Sequence, residues 1–505
     1  MTRTREARIS IDPDRPIGRI HPRMYGSFVE HMGRCVYTGI FEPDHPTADE
    51  NGFRQDVMEL VKELGVTIAR YPGGNFVSSY RWEDGVGPVS ERPRRLEPAW
   101  HSTETNAFGL DEFMAWCRQA GVEPMMAVNL GTRGEEDAVN LLDYANGVVD
   151  TEYAARRRTN GHEEAYDVRM WCLGNEMDGP WQVGHKSAED YAYLACSTAR
   201  AMRMVDRDLE LVACGSSAWE MPTFGDWERT VLELGYEEID FISLHRYCDP
   251  GVQDRASLLA AGHDLDRFID GVIATVDAVG ARKRSDKRIR LSVDEWNIWR
   301  LSEWTSIEHD FDPADWPVAP ERIEDVYTAA DALALGGMLI SLLRHADRVK
   351  AACLAQLVNV IAPIMTEKGG RAWRQTTFHP FSIGSRIARG TAYDAVVATP
   401  TTPTGRYGDV GQVDAVVTWD KESGRGSLLA LNRSLTDSAD LSAALASLGV
   451  SRVLDAQVLA PENLDAVNTA DEPDAVRPVA HPVTVADGVL TTTLPPASWL
   501  AVELG

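Results

Sequence analysis

Hydrophobic and polar positions alternate along this chain in two rhythms. From about residue 20 to about residue 385, short runs of β-branched, aliphatic and aromatic residues are separated by longer stretches whose apolar positions recur every three or four residues. The short runs predict strands at Tyr25 to Glu30, Val66 to Tyr71, Glu123 to Asn129, Val168 to Leu173, Glu210 to Cys214, Asp240 to His245, Arg288 to Asp294 and Lys350 to Gln356. The longer stretches predict helices. Arg54 to Leu64 sets Val57, Leu60, Val61 and Leu64 on one face and ends at Gly65, a residue suited to the left-handed turn that closes a helix. Ser187 to Met204 opens with a hydroxyl followed by Glu189 and Asp190, resembling a capping box, and aligns Tyr191, Leu194, Ala195 and Met202.

Strands that alternate with helices build a parallel sheet, because a parallel neighbour is reached only through a crossover. Eight such units predict an α/β fold, a (β/α)8 TIM barrel over residues 21–384. Beyond about residue 385 the helical rhythm stops. Strand-like runs at Val413 to Trp419, Ser427 to Leu431 and Trp499 to Val502, separated by Gly, Asp, Pro and Thr clusters, predict a C-terminal β-sandwich over residues 385–505. The alternation Ala7-Arg8-Ile9-Ser10-Ile11 predicts that residues 1–20 add an N-terminal strand to that sandwich.

Length agrees with this division, since 505 residues exceed what one hydrophobic core accommodates. Charge narrows the partners. Lys and Arg number 50 against 77 Asp and Glu, and the balance of −27 repels phosphate backbones and anionic lipid surfaces. A neutral substrate is expected, with no nucleic acid and no membrane. No secretory apolar run follows the N-terminus, and no uncharged apolar segment of ~18 residues occurs. Seven cysteines, without a CxxC pair, several of them in apolar stretches, suit a reduced, cytoplasmic protein.

Candidate chemistry gathers at the C-terminal ends of the predicted strands, where barrel sites lie. There stand Glu30-His31, Arg70, Gly73-Gly74-Asn75, Asn129, Asn175-Glu176, His245-Arg246-Tyr247, Asp294-Glu295 and Gln356. Glu176 and Glu295 end the fourth and seventh strands and can face each other across the mouth. Paired carboxylates are what glycosidic cleavage requires, one to protonate the leaving oxygen and one to attack or stabilise the anomeric carbon. Trp100, Trp181, Trp296 and Trp299 lie in or beside these loops and offer flat faces to a sugar ring. Gly73-Gly74 lacks the spacing of a phosphate loop and is expected to serve a turn. The 12 histidines show no tight ligand spacing, and no GxSxG occurs, so no metal, cofactor or serine nucleophile is expected.

The segments FVEHMGRCVYTGIFEP, RYPGGNFVSSYRWEDGVGP, VNLGTRG, WCLGNEMDGPWQVGHK and VDEWNIW resemble glycoside hydrolase family 51, the intracellular α-L-arabinofuranosidases, and the resemblance runs along nearly the whole chain. It implies a retaining, exo-acting enzyme that releases terminal α-L-arabinofuranosyl units from arabinan, arabinoxylan or derived oligosaccharides, assembled as a hexamer. By this resemblance Glu176 is the acid/base and Glu295 the nucleophile. Glu30, Asn75, Asn175 and Gln356 would hold furanose hydroxyls, while Arg70 and Tyr247 would contact the nucleophile, Arg70 keeping it ionised. Trp100 and Trp299 are assigned to the leaving-group side, with core packing the alternative. Ser79, Arg81, Ala107 and Leu110 depart from the family's usual pattern in loops after the second strand, where they bear on leaving-group preference. Two other readings share these features: a β-xylosidase or endoglucanase acting on a pyranose ring, and a catalytically silent sugar-binding protein.

Overall fold

The computed structural model describes residues 3–308 and 310–505. Eight parallel strands close into a barrel: Gly26–Phe28, Ile68–Tyr71, Glu123–Val128, Met170–Leu173, Glu210–Ala213, Phe241–Cys248, Arg290–Ile298 and Val349–Leu354, each beside the next and the eighth beside the first. All eight predicted strands are present. Their side chains alternate between two apolar environments, which is why the runs are hydrophobic at nearly every position. Phe28, Ile68, Met125, Ala127, Met170 and Cys172 fill the lumen. Their neighbours Met126, Val128, Trp171 and Leu173 pack into the outer layer with the helices.

The helices form as their patterns dictate. Gln55–Leu64 buries Val57, Leu60, Val61 and Leu64 and ends at Gly65, whose φ of 80° lets its N–H return to the Val61 carbonyl. Ala188–Val205 is capped by the Ser187 hydroxyl, which accepts from the Asp190 N–H at 3.1 Å.

Thr4–Arg19 lies in a ten-stranded sheet with the C-terminal strands, parallel to Ser438–Ala444 on one side and antiparallel to Thr391–Ala398 on the other. The sheet folds over on itself. Ala7, Ile9, Leu441 and Leu490 from one wing share a core with Val417, Leu428, Val458 and Val502 from the other. The alternate residues Val416, Leu429, Leu431, Trp499 and Ala501 face the barrel instead and join its outer layer.

Helix Ala329–Arg344 is the wedge between the two domains, buried from Ala329 through Leu343. A Cβ on Gly336 would meet Trp499 Cδ1 at 2.6 Å, so glycine lets the helix approach this rigid ring, and one on Gly337 would press on Leu431 Cδ2 at 2.9 Å. Full burial of Trp499 contributes at most roughly 4 to 6 kcal/mol. All seven cysteines are free and buried. Among the described residues, no helix is long and apolar enough to cross a membrane.

Candidate active site

The mouth of the barrel collects polar side chains because the backbone bends where they stand. An irregularity in pairing between Ser292 and Glu295 lets consecutive Asp294 and Glu295 both face the barrel axis, as a bulge does. At the fourth strand end Gly174 has φ 91° and Glu176 φ 43°, so Asn175 and Glu176 both turn inward. A glutamate in the left-handed region costs of order 1–3 kcal/mol, a strain that clusters at functional sites. The sixth strand keeps its alternation. His245 and Tyr247 point to the centre, while Arg246 pairs outside with Glu220 and Asp264.

Glu295 is 6% exposed. Its Oε1 accepts from Arg70 Nη1 at 2.8 Å and its Oε2 from the Tyr247 hydroxyl at 2.8 Å. Arg70 Nη2 donates to Asn175 Oδ1 at 2.8 Å, binding the second and fourth strand ends together. Burial raises the pKa of Glu295, Glu176 raises it further, and His245, Arg70 and the Tyr247 hydroxyl pull it down; the net direction is upward. The guanidinium thus only partly offsets burial. At Asp294 the balance is reversed, for Arg70 and His245 overcome burial and hold its carboxyl below the usual carboxylate range.

Glu176 Oε1 meets His245 Nδ1 at 2.9 Å, and Glu176 Oε2 accepts from the Trp181 indole N–H at 2.7 Å. The other ring nitrogen of His245 meets Asp294 Oδ1 at 3.0 Å. Burial lowers the His245 pKa, but Glu295, Asp294 and Glu176 more than reverse this and raise it well above the ordinary imidazole value. Glu176, His245 and Glu295 place one metal-ligand type of atom each within 4.8 Å of one another. A doubly hydrogen-bonded imidazolium has no lone pair for a metal, so the set suits proton transfer and charge stabilisation better.

Glu30 occupies the opposite wall. Its Oε1 accepts from the Phe76 N–H at 3.0 Å and the Trp100 indole at 2.9 Å, and its Oε2 from Gln356 Nε2 at 3.0 Å. Burial, with Glu295 adding to it, pushes its carboxyl up to about 8 despite the Phe76 and Trp100 donors. Gly73 and Gly74 do more than turn the chain. A Cβ on Gly73, whose φ is 151°, would lie 2.4 Å from Glu30 Cγ, and one on Gly74 would lie 3.2 Å from Glu295 Oε1. They let the backbone pass against both carboxylates.

Asn75 Oδ1 takes the Gln182 amide and, at 3.4 Å, Asn175 Nδ2. Trp100 is buried against Trp304, with ring centroids 5.9 Å apart. Trp299 is half-buried and meets the Tyr247 ring edge-on at 5.0 Å. Asn129 holds a turn instead, accepting from the Gly131 and Thr132 N–H groups. The structure therefore brings Glu30, Arg70, Asn75, Asn175, Glu176, Tyr247, Glu295, Gln356 and Trp100 to one barrel mouth in three hydrogen-bonded sets, around Glu295, Glu176 and Glu30, with Trp299 on the rim. Three members escaped the sequence reading in these roles. His245 stood out at a strand end, but its partners lie on other strands. Trp181 and Gln182 lie within WCLGNEMDGPWQ, yet only the folded loop returns them to Glu176 and Asn75.

Two family models match the chain, the α-L-arabinofuranosidase 1 domain over residues 60–257 and the α-L-arabinofuranosidase C-terminal domain over residues 294–498. An intracellular exo-α-(1→5)-L-arabinofuranosidase of Streptomyces lividans is 53% identical over 99% of this chain and 75% of its own. An exo-α-(1→6)-L-arabinofuranosidase of Bifidobacterium longum is 52% identical over 99% of this chain and 97% of its own. Among solved structures, a family 51 α-L-arabinofuranosidase of Bifidobacterium longum superposes with a TM-score of 0.95 at 50% identity, covering 99% of this chain and 100% of its own. With identity at this level along the full length, the chain belongs to glycoside hydrolase family 51, the α-L-arabinofuranosidases.

Proposed function

We propose that the protein removes terminal non-reducing α-L-arabinofuranosyl residues from arabinan, arabinoxylan or their oligosaccharides, with retention of configuration by double displacement. The observation that carries the reading is the carboxylate pair: an oxygen of Glu176 lies within 4.8 Å of an oxygen of Glu295. Retaining glycosidases hold their carboxyls about 5 to 5.5 Å apart, and inverting ones about 6.5 to 9.5 Å, the wider gap admitting a water. An oxygen-to-oxygen approach within that bound fits the retaining spacing and supports direct attack.

In the first step Glu295 forms a bond to the anomeric carbon while protonated Glu176 gives its proton to the departing oxygen. Arg70 and Tyr247 hold the nucleophile, one on each oxygen. Esterification removes the charge of Glu295. Glu176, now ionised, then takes a proton from water, which attacks the same carbon and frees Glu295. Glu30, Asn75, Asn175 and Gln356 are assigned to furanose hydroxyls, and Gln356 Oε1, buried without a partner, is free to accept one. Trp100, whose indole N–H is engaged by Glu30, is assigned to orienting that carboxyl, and Trp299 to the leaving-group side.

Near-equal identity to a relative named for the α-(1→5) linkage and one named for the α-(1→6) linkage supports release of terminal arabinofuranosyl units without choosing the acceptor, since an arabinofuranosyl unit offers O5 and only a hexose offers O6. A cytoplasmic location is supported by relatives named intracellular and by buried free thiols. A hexamer completes the proposal and is checked by light scattering on the purified chain.

Hydrolysis of 4-nitrophenyl α-L-arabinofuranoside by wild type, Glu176→Ala and Glu295→Ala, each with azide, tests the roles. The reading expects the α-azide from Glu176→Ala and the β-azide from Glu295→Ala. An inert wild type, or full activity in both variants, would overturn it.

A further inference from the structure

A polar cavity of about 450 Å³ opens between barrel and sandwich. Its wall includes Gln253 and Arg255 beyond the sixth strand, Arg300 beyond the seventh, Thr328 and Asp331 at the start of the wedge helix, and Asp465 from the sandwich. Arg300 directly follows Trp299, so the chain passes from the rim of the active site into the cavity wall.

Four polar atoms of this wall are closed off from solvent and have no hydrogen-bond partner: Gln253 Oε1, Arg255 Nη1, Arg300 Nη1 and Asp331 Oδ1. Asp331 is 1% exposed, and its other oxygen is taken by Thr328 and Arg300. Such atoms are few in folded proteins, and four on one cavity wall ask for a partner that donates and accepts. Gln253, on the loop, and Arg255, at the start of the helix Arg255–Leu259, are both partly exposed, so a side-chain rotation presents either free atom to an incoming group.

Charge selects the partner. Arg255 is matched by Asp465 at 2.6 Å and Arg300 by Asp331 at 3.1 Å, with Asp325 and the wall residue Glu303 each 3.9 Å from Arg300, which leaves no surplus cation for an anionic ligand. One free donor, Arg255 Nη1, and two free acceptors, Gln253 Oε1 and Asp331 Oδ1, suit the hydroxyls of a neutral sugar, while Arg300 Nη1 faces Asp325 Oδ2 at 3.9 Å. We propose that this cavity is a carbohydrate subsite that takes a neutral sugar unit of the leaving chain, and that the sandwich helps to build it through Asp465. The inference rests on the exo-acting reading above: one terminal unit fills the catalytic centre, so every further unit lies on the leaving side.

The test compares kcat/KM of wild type, Gln253→Ala/Arg255→Ala and Asp465→Ala on 4-nitrophenyl α-L-arabinofuranoside and on linear α-(1→5)-arabinotetraose. The variants are expected to keep their rates on the aryl glycoside within about twofold and to lose about tenfold on the tetraose, chiefly through KM, as two weak hydrogen bonds predict. Unchanged tetraose kinetics overturn the subsite, and equal losses on both substrates reduce the loop to a structural role. If wild type does not cleave the aryl glycoside, the proposed function fails instead. The cavity is then judged by calorimetric titration of arabinotetraose and xylotetraose into Glu295→Gln with and without the loop substitutions. Weaker binding of either sugar in the loop variant supports the subsite; equal binding, or none, overturns it.

Discussion

Tyr247→Phe removes one oxygen atom from the site and leaves the ring that packs on Trp299. The lost hydroxyl donates to Glu295 Oε2 at 2.8 Å, and His245 Nδ1 stands 3.7 Å from that oxygen, beyond hydrogen-bond reach. A hydrogen bond to a charged acceptor is worth about 1.5–3 kcal/mol. At about 1.36 kcal/mol per decade, this predicts a roughly 10- to 150-fold fall in the rate of attack if the bond persists into the transition state. The sign of the pH effect also follows. Burial raises the pKa of Glu295 and the Tyr247 hydroxyl lowers it, so the variant holds its nucleophile protonated to higher pH. The acid limb of kcat/KM for 4-nitrophenyl α-L-arabinofuranoside, which reports ionisation of the free enzyme, should move upward. An unmoved acid limb together with kcat within twofold of wild type would refute the assignment of Tyr247 to the nucleophile.

Other substitutions probe other parts of the account. Gly73→Ala places a Cβ 2.4 Å from Glu30 Cγ at a backbone angle alanine rarely adopts; KM should rise about tenfold or more in a folded protein, and an unchanged KM would free Glu30 from its binding role. Burial, with Glu176 adding to it, pushes the Asp178 carboxyl up to about 7 against the Ser217 donors. A carboxyl raised in this way contributes stability below its unfolded value near ~3.9 and loses it as pH rises through about 7. Asn cannot ionise, so the Tm of Asp178→Asn relative to wild type should climb between pH 5 and pH 8, and a constant difference would contradict the assignment. The seven buried thiols should be unreactive to a disulfide reagent in the native protein and all titrate in denaturant; a fast-reacting native thiol would contradict their burial.

The barrel was legible because strands buried on both faces carry continuous apolar runs, and because Gly65 and Ser187 mark helix ends by local chemistry. Strand ends were less so. The sixth and seventh strands continue to Cys248 and Ile298, past the expected His245 and Asp294, since their polar residues stay in the ladder, Glu295 opposite His245 and Trp296 opposite Arg246. The two carboxylates could be named from the sequence, whereas their environment could not. Nothing local places Trp181 on Glu176 or sets His245 between Glu176 and Asp294. Those assignments depend on a bulge, on a left-handed glutamate and on the closure of the barrel.

The most direct test of the account is to trap the covalent intermediate. A 2-deoxy-2-fluoro arabinofuranosyl donor with a good leaving group slows both steps, because fluorine destabilises the cationic transition state, and the reactive leaving group restores the first. Mass spectrometry of the intact protein, followed by peptide mapping, should find one glycosyl adduct per chain, on Glu295. An adduct on Asp294 or Glu30, or continued turnover with inversion and no adduct, would contradict the double-displacement mechanism built on Glu176 and Glu295.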